Sequence, residues 1–508
     1  MSVSEKTIIA IPDPAVVKME PSSPTSSEVT LTDGAKDLEK TLSKSMGSSI
    51  DSGSGQTPAD LEAQTVLPER RRFAQLRFTI LTIYRRLFSL VFLANVGVFV
   101  AVMLTDRKLV ALVNATAANL LACGLARQPL VVNSIFFVVC SIPRSAPITL
   151  RRWAAQVYHY GGVHSGCGVA SLIWYIAFVG LMSYQYWTPS PTSGAPAVSI
   201  SAAPVAVAYI ILLLLLAITV VAHPTFRTKF HDYFELIHRF SGWLVVALFM
   251  VLLMLFAKEF SSAEHMSLGN FLVQLPAFWF LLITVVAIIQ PWLMLRKVPV
   301  RAEKLSNHAV RLHFDYQQTS FGKGIQLAKH PLRDWHGFAT FPDALPSGTQ
   351  GQPSFSTLVS KAGDWTSDSI NQPPTHFWKR GVLIFGFAYA MRVFKRVIVV
   401  TTGSGIGPCL SFLGDDNRPV LRVMWQTRSP LKTYGSGVLR LVDQMDEHPI
   451  ILDTDQLGRI DMVPIIARQF KEFGAEAVCV VSNPKLTGRI VHELEARGYP
   501  AFGPIFDS

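Results

Sequence analysis

The sequence predicts a multi-pass α-helical membrane domain followed by two soluble domains, a small antiparallel β-barrel and an α/β domain built on a parallel sheet. Three observations lead there. Hydrophobic residues make up 50% of the 508-residue chain and charged residues only 16%, with a mean hydropathy of +0.33, so much of it must sit in lipid. Six apolar spans lie within residues 87–295, and after Lys297 the composition changes to short strand-like runs. Near the end, the all-β-branched run 397–401 leads into a turn with Gly403, Gly405 and Gly407 at alternate positions, then a helix-compatible stretch. The expected boundaries are 1–69, 70–297, 298–394 and 395–508.

Residues 1–69 are rich in Ser, Thr, Pro, Gly, Asp and Glu without a sustained apolar period, and read as a disordered cytosolic tail. The first apolar patch, 8–11, is too short for the core of a signal peptide. Arg70, Arg71, Arg72, Arg77, Arg85 and Arg86 then precede span 87–104, which fixes its N-terminal end in the cytosol. The later spans cover about 120–142, 164–184, 204–222, 242–256 and 271–295. An even number of spans returns the C-terminus to the cytosol. Arg127, Gln128 and Pro129 interrupt the second span, which is either a kinked helix with a buried Arg or a short helix from Leu109 followed by a re-entrant piece.

The net charge of +11 would suit nucleic acid, but the basic residues bracket apolar spans, so the expected partner is a lipid bilayer and not nucleic acid. The five cysteines are scattered without a C-x-x-C, which excludes a disulfide framework and a zinc site.

In the soluble half, 300–314 and 324–328 read as barrel strands, and 420–425, 450–452 and 477–481 as parallel strands beside 397–401. Ligands of such sheets bind at the carboxyl ends of the strands. Glycine lets backbone N–H groups approach a pyrophosphate, and the positive end of a following helix favours its charge. That makes Gly403, Ser404, Gly405, Gly407 and Pro408 the candidate dinucleotide site.

Together, Gly363-Asp-Trp-Thr366 and Gly403-Ser-Gly-Ile-Gly-Pro408 resemble the paired motifs of ferredoxin-reductase-like flavoproteins, in particular the ferric reductase and NADPH oxidase branch. The resemblance implies an FAD-binding barrel and an NAD(P)-binding α/β domain, with NADPH favoured over NADH because Arg428, just past the strand 420–425, stands where relatives read the ribose and would suit a 2′-phosphate. It also implies flavin contacts from Trp335, His336, Phe338, Ala339 and Thr340, which stand where relatives have W-H-P-F-T, from Gly363, Asp364, Trp365 and Thr366, and from Arg380 at the diphosphate. Ser482, Asn483 and Pro484 replace the Cys-Gly-Pro expected at the nicotinamide, and Phe506 stands where a terminal ring shields the flavin in related families. Gly337, Ala339 and the immediate Gly407-Pro408 sequence also depart from the pattern.

The same branch carries two haems on four histidines of the third and fifth spans. Only the inner pair has counterparts here, His164 and His238; the outer positions hold Ala177 or Phe178 and Val251 or Leu252. One inner haem, or two hydrogen-bonded rim histidines, are the two readings. A wire of two haems across the bilayer is not expected.

Across 70–508 the chain resembles the fungal integral membrane flavoproteins of the transmembrane protein A type, on Gly161-Gly-Val-His-Ser-Gly166, Lys361-Ala-Gly-Asp-Trp365, Thr402-Gly-Ser-Gly-Ile-Gly-Pro408, Asp453-Thr-Asp455 with Gly458 and Arg459, and Phe506-Asp-Ser508. This implies a membrane oxidoreductase passing electrons from cytosolic NAD(P)H through FAD to a small or lipid-soluble acceptor, in conidiation or secondary metabolism. The alternatives are transmembrane electron transfer of the ferric reductase kind and a degenerate nucleotide-binding sensor or scaffold.

Overall fold

A computed structural model describes residues 67–76, 80–105, 107–188, 200–333, 335–343, 354–415 and 417–505. The first half is helical: α1 (Ile83–Thr105), α2 (Leu109–Leu125), α3 (Pro129–Cys140), α4 (Ile148–Ala154), α5 (Gly161–Trp187), α6 (Ala202–Val221), α7 (Pro224–Lys229), α8 (His231–Ala263), α9 (Leu268–Gln274) and α10 (Pro276–Leu293). Among the described residues five helices are long and apolar enough to cross a membrane, and α2 with α3 forms a sixth candidate, bent by 72°. The bend is written locally: Gln128 caps α3 by accepting from Val131 N–H at 2.9 Å, and Pro129 takes the first helical position. Arg127 is exposed at this corner, so the kinked helix with a buried Arg gives way to two short helices.

The bundle is held by close approach and by packing. A Cβ on Gly162 would stand 2.5 Å from the Tyr84 carbonyl, so α5 lies against α1 only because the residue is glycine. Asn95 accepts from Asn119 at 2.8 Å and from the Trp174 indole at 3.1 Å, satisfying polar groups inside the bundle. Between α5 and α8, Tyr175, Phe178, Phe249, Leu252 and Phe256 are buried, with Tyr175–Phe249 and Phe178–Phe256 ring centroids 5.7 and 6.1 Å apart. The level an outer haem would occupy is therefore filled by side chains.

The barrel consists of β1 (Arg296–Pro299), β2 (Arg301–Lys304), β3 (Ala309–Phe314), β4 (Lys323–Ala328), β5 (His336–Ala339), β6 (Phe341–Pro342), β7 (Phe355–Ser360), β8 (His376–Lys379) and β9 (Ile384–Phe385). They form two antiparallel sheets, β1-β8-β4-β5 with β9 on β4, and β2-β3-β7-β6, closed on Val310, Leu312, Phe314, Ile325, Phe355 and Phe377. The sheet that follows, β12 (Ile450–Asp453), β11 (Val420–Thr427), β10 (Arg396–Thr402), β13 (Ala477–Val481) and β14 (Ala501–Phe502), is parallel throughout. Strand β10 is buried on both faces: Val397 and Val399 join one hydrophobic cluster, Ile398 and Val400 the other.

Two anchors bind this sheet to the helices. Arg151 of α4 makes a bidentate ion pair with Glu476 at 2.6 and 2.8 Å, and Arg71 N–H donates to the Ala496 carbonyl at 2.7 Å beside an Arg70–Glu493 pair at 2.9 Å. The hydrogen bonds from Arg151 hold the Glu476 carboxyl below its ordinary range against the opposing effect of burial.

Candidate functional site

The carboxyl ends of the parallel strands bring together Thr402 with Gly403, Thr427 with Arg428, Asp453, and Ser482. Gly403 has φ +48°, a left-handed conformation that glycine tolerates, and its carbonyl accepts from the Trp425 indole at 3.0 Å. At Gly405 a Cβ would lie 2.3 Å from the Val481 carbonyl and 2.5 Å from Thr401 Oγ1. The helix-compatible stretch after the turn does not form one continuous α-helix. A 3₁₀ turn over Gly403–Gly405 passes into a single α turn, α13 (Ile406–Cys409), and again into 3₁₀ over Leu410–Gly414. Pro408 supplies no N–H and the glycines disfavour helix, so no extended macrodipole points at the turn and that part of the pyrophosphate argument falls.

Other nucleotide candidates have structural duties. Asn483 Oδ1 caps α17 (Pro484–Ala496) by accepting from Leu486 N–H at 3.0 Å, and Pro484 is its first residue, so neither is free as a nicotinamide ligand. Ser482 N–H donates to Thr487 Oγ1 at 3.0 Å, while its hydroxyl hydrogen-bonds the Thr402 hydroxyl. Arg428 is exposed and pairs with Asp455 at 3.2 Å. Ser429, at φ +37°, fastens the same loop to Asp453 and Asp455 at 2.9 and 2.6 Å. An exposed pair of this kind is weak and leaves the guanidinium able to change partners.

On the barrel, β5 pairs with β4 in the register Gly324↔Ala339 and Leu327↔His336. Thr340 is fully buried and donates to the Lys323 carbonyl at 2.9 Å, which removes its side chain from the candidate flavin contacts. The Trp365 ring lies 4.4 Å from His336 and 5.6 Å from Phe338, nearly parallel to the latter at 25°. His336 and Phe338, on one side of β5, form one aromatic face with Trp365 from the next helix. Gly363 opens α11 (Asp364–Asn371), where Thr366 Oγ1 accepts from Ala362 and Gly363 N–H at 2.8 and 2.9 Å.

Trp335 donates to the Pro331 carbonyl at 2.9 Å. Arg380 is not a solvated arginine: its guanidinium lies 4.5 Å from the Trp335 ring centre and 5.0 Å from that of Trp292, and Nε donates to Gln326 at 3.0 Å. Burial, with the Arg239 charge nearby, lowers its pKa to about 10. Phe506 lies outside the described residues.

Two features fit a flat, polar-edged cofactor on the barrel. The Trp365 Nε1 donor is buried with no acceptor among the described residues, and a Cβ at Gly337 or Gly363 would meet nothing within 4 Å. The barrel and the glycine turn also share a seam. A Cβ on Gly407 would be 3.3 Å from Leu358 of β7, and His308 Nε2 lies 3.2 Å from Ser404 Oγ. Strand β7 runs directly into the Gly363 turn.

In the helices, the His164 and His238 ring centres lie 6.1 Å apart. His164 Nδ1 is 2.9 Å from the Cys123 carbonyl, which only accepts, so the proton sits on Nδ1 and Nε2 keeps its lone pair.

Two clusters escaped the sequence. One is the Arg151–Glu476 anchor, whose partners lie 325 residues apart. On the barrel, Asp343 accepts from Arg311 at 2.6 Å and lies 3.1 Å from His313, while Ser356 also hydrogen-bonds it. Burial would raise the Asp343 carboxyl, but the hydrogen bonds of His313 and Ser356 and the charges of His313 and Arg311 outweigh it and hold the pKa at about 2. No local pattern announces either.

Residues 387–508 match the family model described as Adenylate-forming reductase 03009, C-terminal domain. Over 439 residues the chain is 38% identical to Adenylate-forming reductase 03009 of Coprinopsis cinerea, covering 86% of this chain and 41% of the relative. Adenylate-forming reductase 06235 of the same fungus is 38% identical over 447 residues, covering 87% and 42%. The chain thus spans about two fifths of the length of the curated relatives it matches. Among solved structures, a flavohemoglobin from Malassezia yamatoensis with bound FAD and heme is similar at 12% identity and a TM-score of 0.35, covering 77% of this chain and 98% of that one. The ferredoxin reductase in carbazole 1,9a-dioxygenase is similar at 12% identity and a TM-score of 0.32, covering 42% and 70%.

Proposed function

We propose that the chain is a membrane-bound, NAD(P)H-dependent flavin oxidoreductase that takes up reducing equivalents in the cytosol and delivers them to a small or lipid-soluble acceptor. The observation that carries this reading is the seam, where the glycine turn at the end of β10 packs on the strand that runs into Gly363. A nucleotide held at the sheet edge and a ring system held on the barrel would meet there, and proximity with orientation supplies much of the rate.

FAD would lie along β5 and the Gly363 turn, where the open sides of Gly337 and Gly363 give room, with Trp335 and Arg380 on the Gly337 side of the strand and the Trp365 N–H as a donor. When bound, it accepts a hydride and releases electrons singly or in pairs. The chain's own residues bind and orient. Gly403 and Gly405 shape the turn, Arg428 can exchange Asp455 for a ribose phosphate, and the Ser482 and Thr402 hydroxyls line the edge between them. The five apolar helices and the α2–α3 pair would span the bilayer, with both chain ends cytosolic. The likeness to the transmembrane protein A type suggests a role in fungal development.

A second reading concerns the acceptor. The relatives are called adenylate-forming reductases, which makes an activated carboxyl group a candidate substrate for the electrons. A single haem would be held by His164 and His238 and would supply a one-electron carrier there.

An absorbance spectrum of the detergent-purified chain tests all of this. Flavin bands that bleach on NADPH addition are expected. Absence of any flavin band from protein purified with added FAD would sink the proposal. A Soret band would add the haem, and lost bleaching with a decanoyl-thioester probe as oxidant would favour the activated carboxyl.

A further inference from the structure

We propose that the stacked side chains of Trp335, Arg380, Trp292 and Trp243 form the path by which electrons leave the barrel for the cytosolic end of the helices. The proposal rests on the flavin reading above, because Trp335 and Arg380 lie on the open Gly337 side of β5, where Gln326 is paired with Gly337 and holds Arg380.

The stack is continuous. Trp335 and Trp292 ring centres lie 6.1 Å apart at 87°, and Trp292 and Trp243 lie 5.3 Å apart at 84°. Phe240, on α8 with Trp243, extends it by a further 5.3 Å. Arg380 fills the angle between the first two indoles and is itself fixed by Gln326, so it is a positioning residue that keeps them in register. Tunnelling weakens steeply across gaps, and edge-to-face rings in contact leave none.

Docking alone does not require these rings. Gly381 N–H donates to the Pro291 carbonyl at 3.0 Å and Arg239 to the Leu332 carbonyl at 3.4 Å, so barrel and helices are fastened on both sides of the stack. Nor are the three indoles a belt facing lipid headgroups, since each is half-buried against its neighbour.

The balance is simple. Two electrons from one nicotinamide hydride leave the barrel one at a time, the hydride's proton is released to water, and a quinone-class acceptor takes both electrons with two protons from water to become a quinol, a net uptake of one proton. The indoles and the guanidinium end each turnover unchanged.

The test uses the full flavin-loaded chain in phosphatidylcholine nanodiscs with NADPH, decylubiquinone as the lipid-soluble probe and ferricyanide as the water-soluble one. Trp292→Leu is expected to lower decylubiquinone reduction about tenfold while ferricyanide reduction stays at the wild-type rate, and Trp292→Phe is expected to restore most of the loss. Wild-type decylubiquinone rates in Trp292→Leu, or an equal fall for both probes, overturn the proposal. A wild-type chain that reduces neither probe removes the flavin reading and the path with it. A second measurement involves no turnover. A blue flash on the oxidised, NADPH-free protein draws an electron from Trp335 to the excited flavin, and Trp292 refills it. The tryptophan-radical absorbance should decay several-fold faster in Trp292→Leu, and an unchanged lifetime overturns the path.

Discussion

The turns at Gly363 and at Gly403–Gly405 look alike in the sequence, each a glycine at the start of a candidate ligand loop, yet their missing side chains serve opposite ends. At Gly405 the space is taken by the protein itself, the Val481 carbonyl and Thr401 hydroxyl standing where a Cβ would be. At Gly363 the space is open and the backbone is extended, at φ −168°, so any residue could adopt it. One glycine exists for the fold and the other leaves room for something outside it.

Four substitutions sharpen that contrast, beginning with the most damaging. Gly405→Ala forces the turn away from β13 and should cost about 3 kcal/mol, read as a lower melting temperature in detergent with or without added FAD. Melting at the wild-type temperature would mean that the turn has slack. Asp343→Asn probes the barrel without touching either turn. With a folded pKa of about 2 against an ordinary 3.8, Asp343 contributes stability that is complete above pH 3.8 and lost as pH falls towards 2. The variant should lose about 2 kcal/mol at neutral pH and show a flatter acid limb in melts run from pH 7 to 2.5.

Gly363→Ala should cost less, about 0.5–1 kcal/mol because alanine is a poorer helix N-cap than glycine, while its methyl enters the open space. FAD retained through gel filtration should fall; full retention would put the cofactor elsewhere. Smallest in stability is Arg428→Gln, within about 0.5 kcal/mol because the Asp455 pair is exposed. Its effect belongs in kinetics, as a KM for NADPH raised about tenfold with the KM for NADH unchanged.

How far the sequence carried these conclusions depended on the range of the interaction. β10 was legible because five β-branched residues in a row suit a strand buried on both faces, and β13 was placed at 477–481, its observed bounds, on similar grounds. The interruption at Arg127-Gln128-Pro129 was visible, but the 72° bend was one of two readings until Gln128 was seen to cap the second piece. Asn483 followed by Pro484 is a helix start that local rules recognise, and the pull of a nicotinamide motif obscured it. By contrast, Gly405 meets Val481, Arg151 meets Glu476 and Arg380 meets Trp292 across many tens of residues. A single sequence holds no record of such meetings.

The aromatic filling between α5 and α8 has a consequence for energetics. A half-bundle filled by Tyr175, Phe178, Phe249 and Phe256 leaves no room for a second haem, so under the proposed function charge that enters from the cytosol would be discharged on that side. Turnover would then be electrically silent: it would neither generate a transmembrane voltage nor be slowed by one, unlike the two-haem oxidases its motifs resemble.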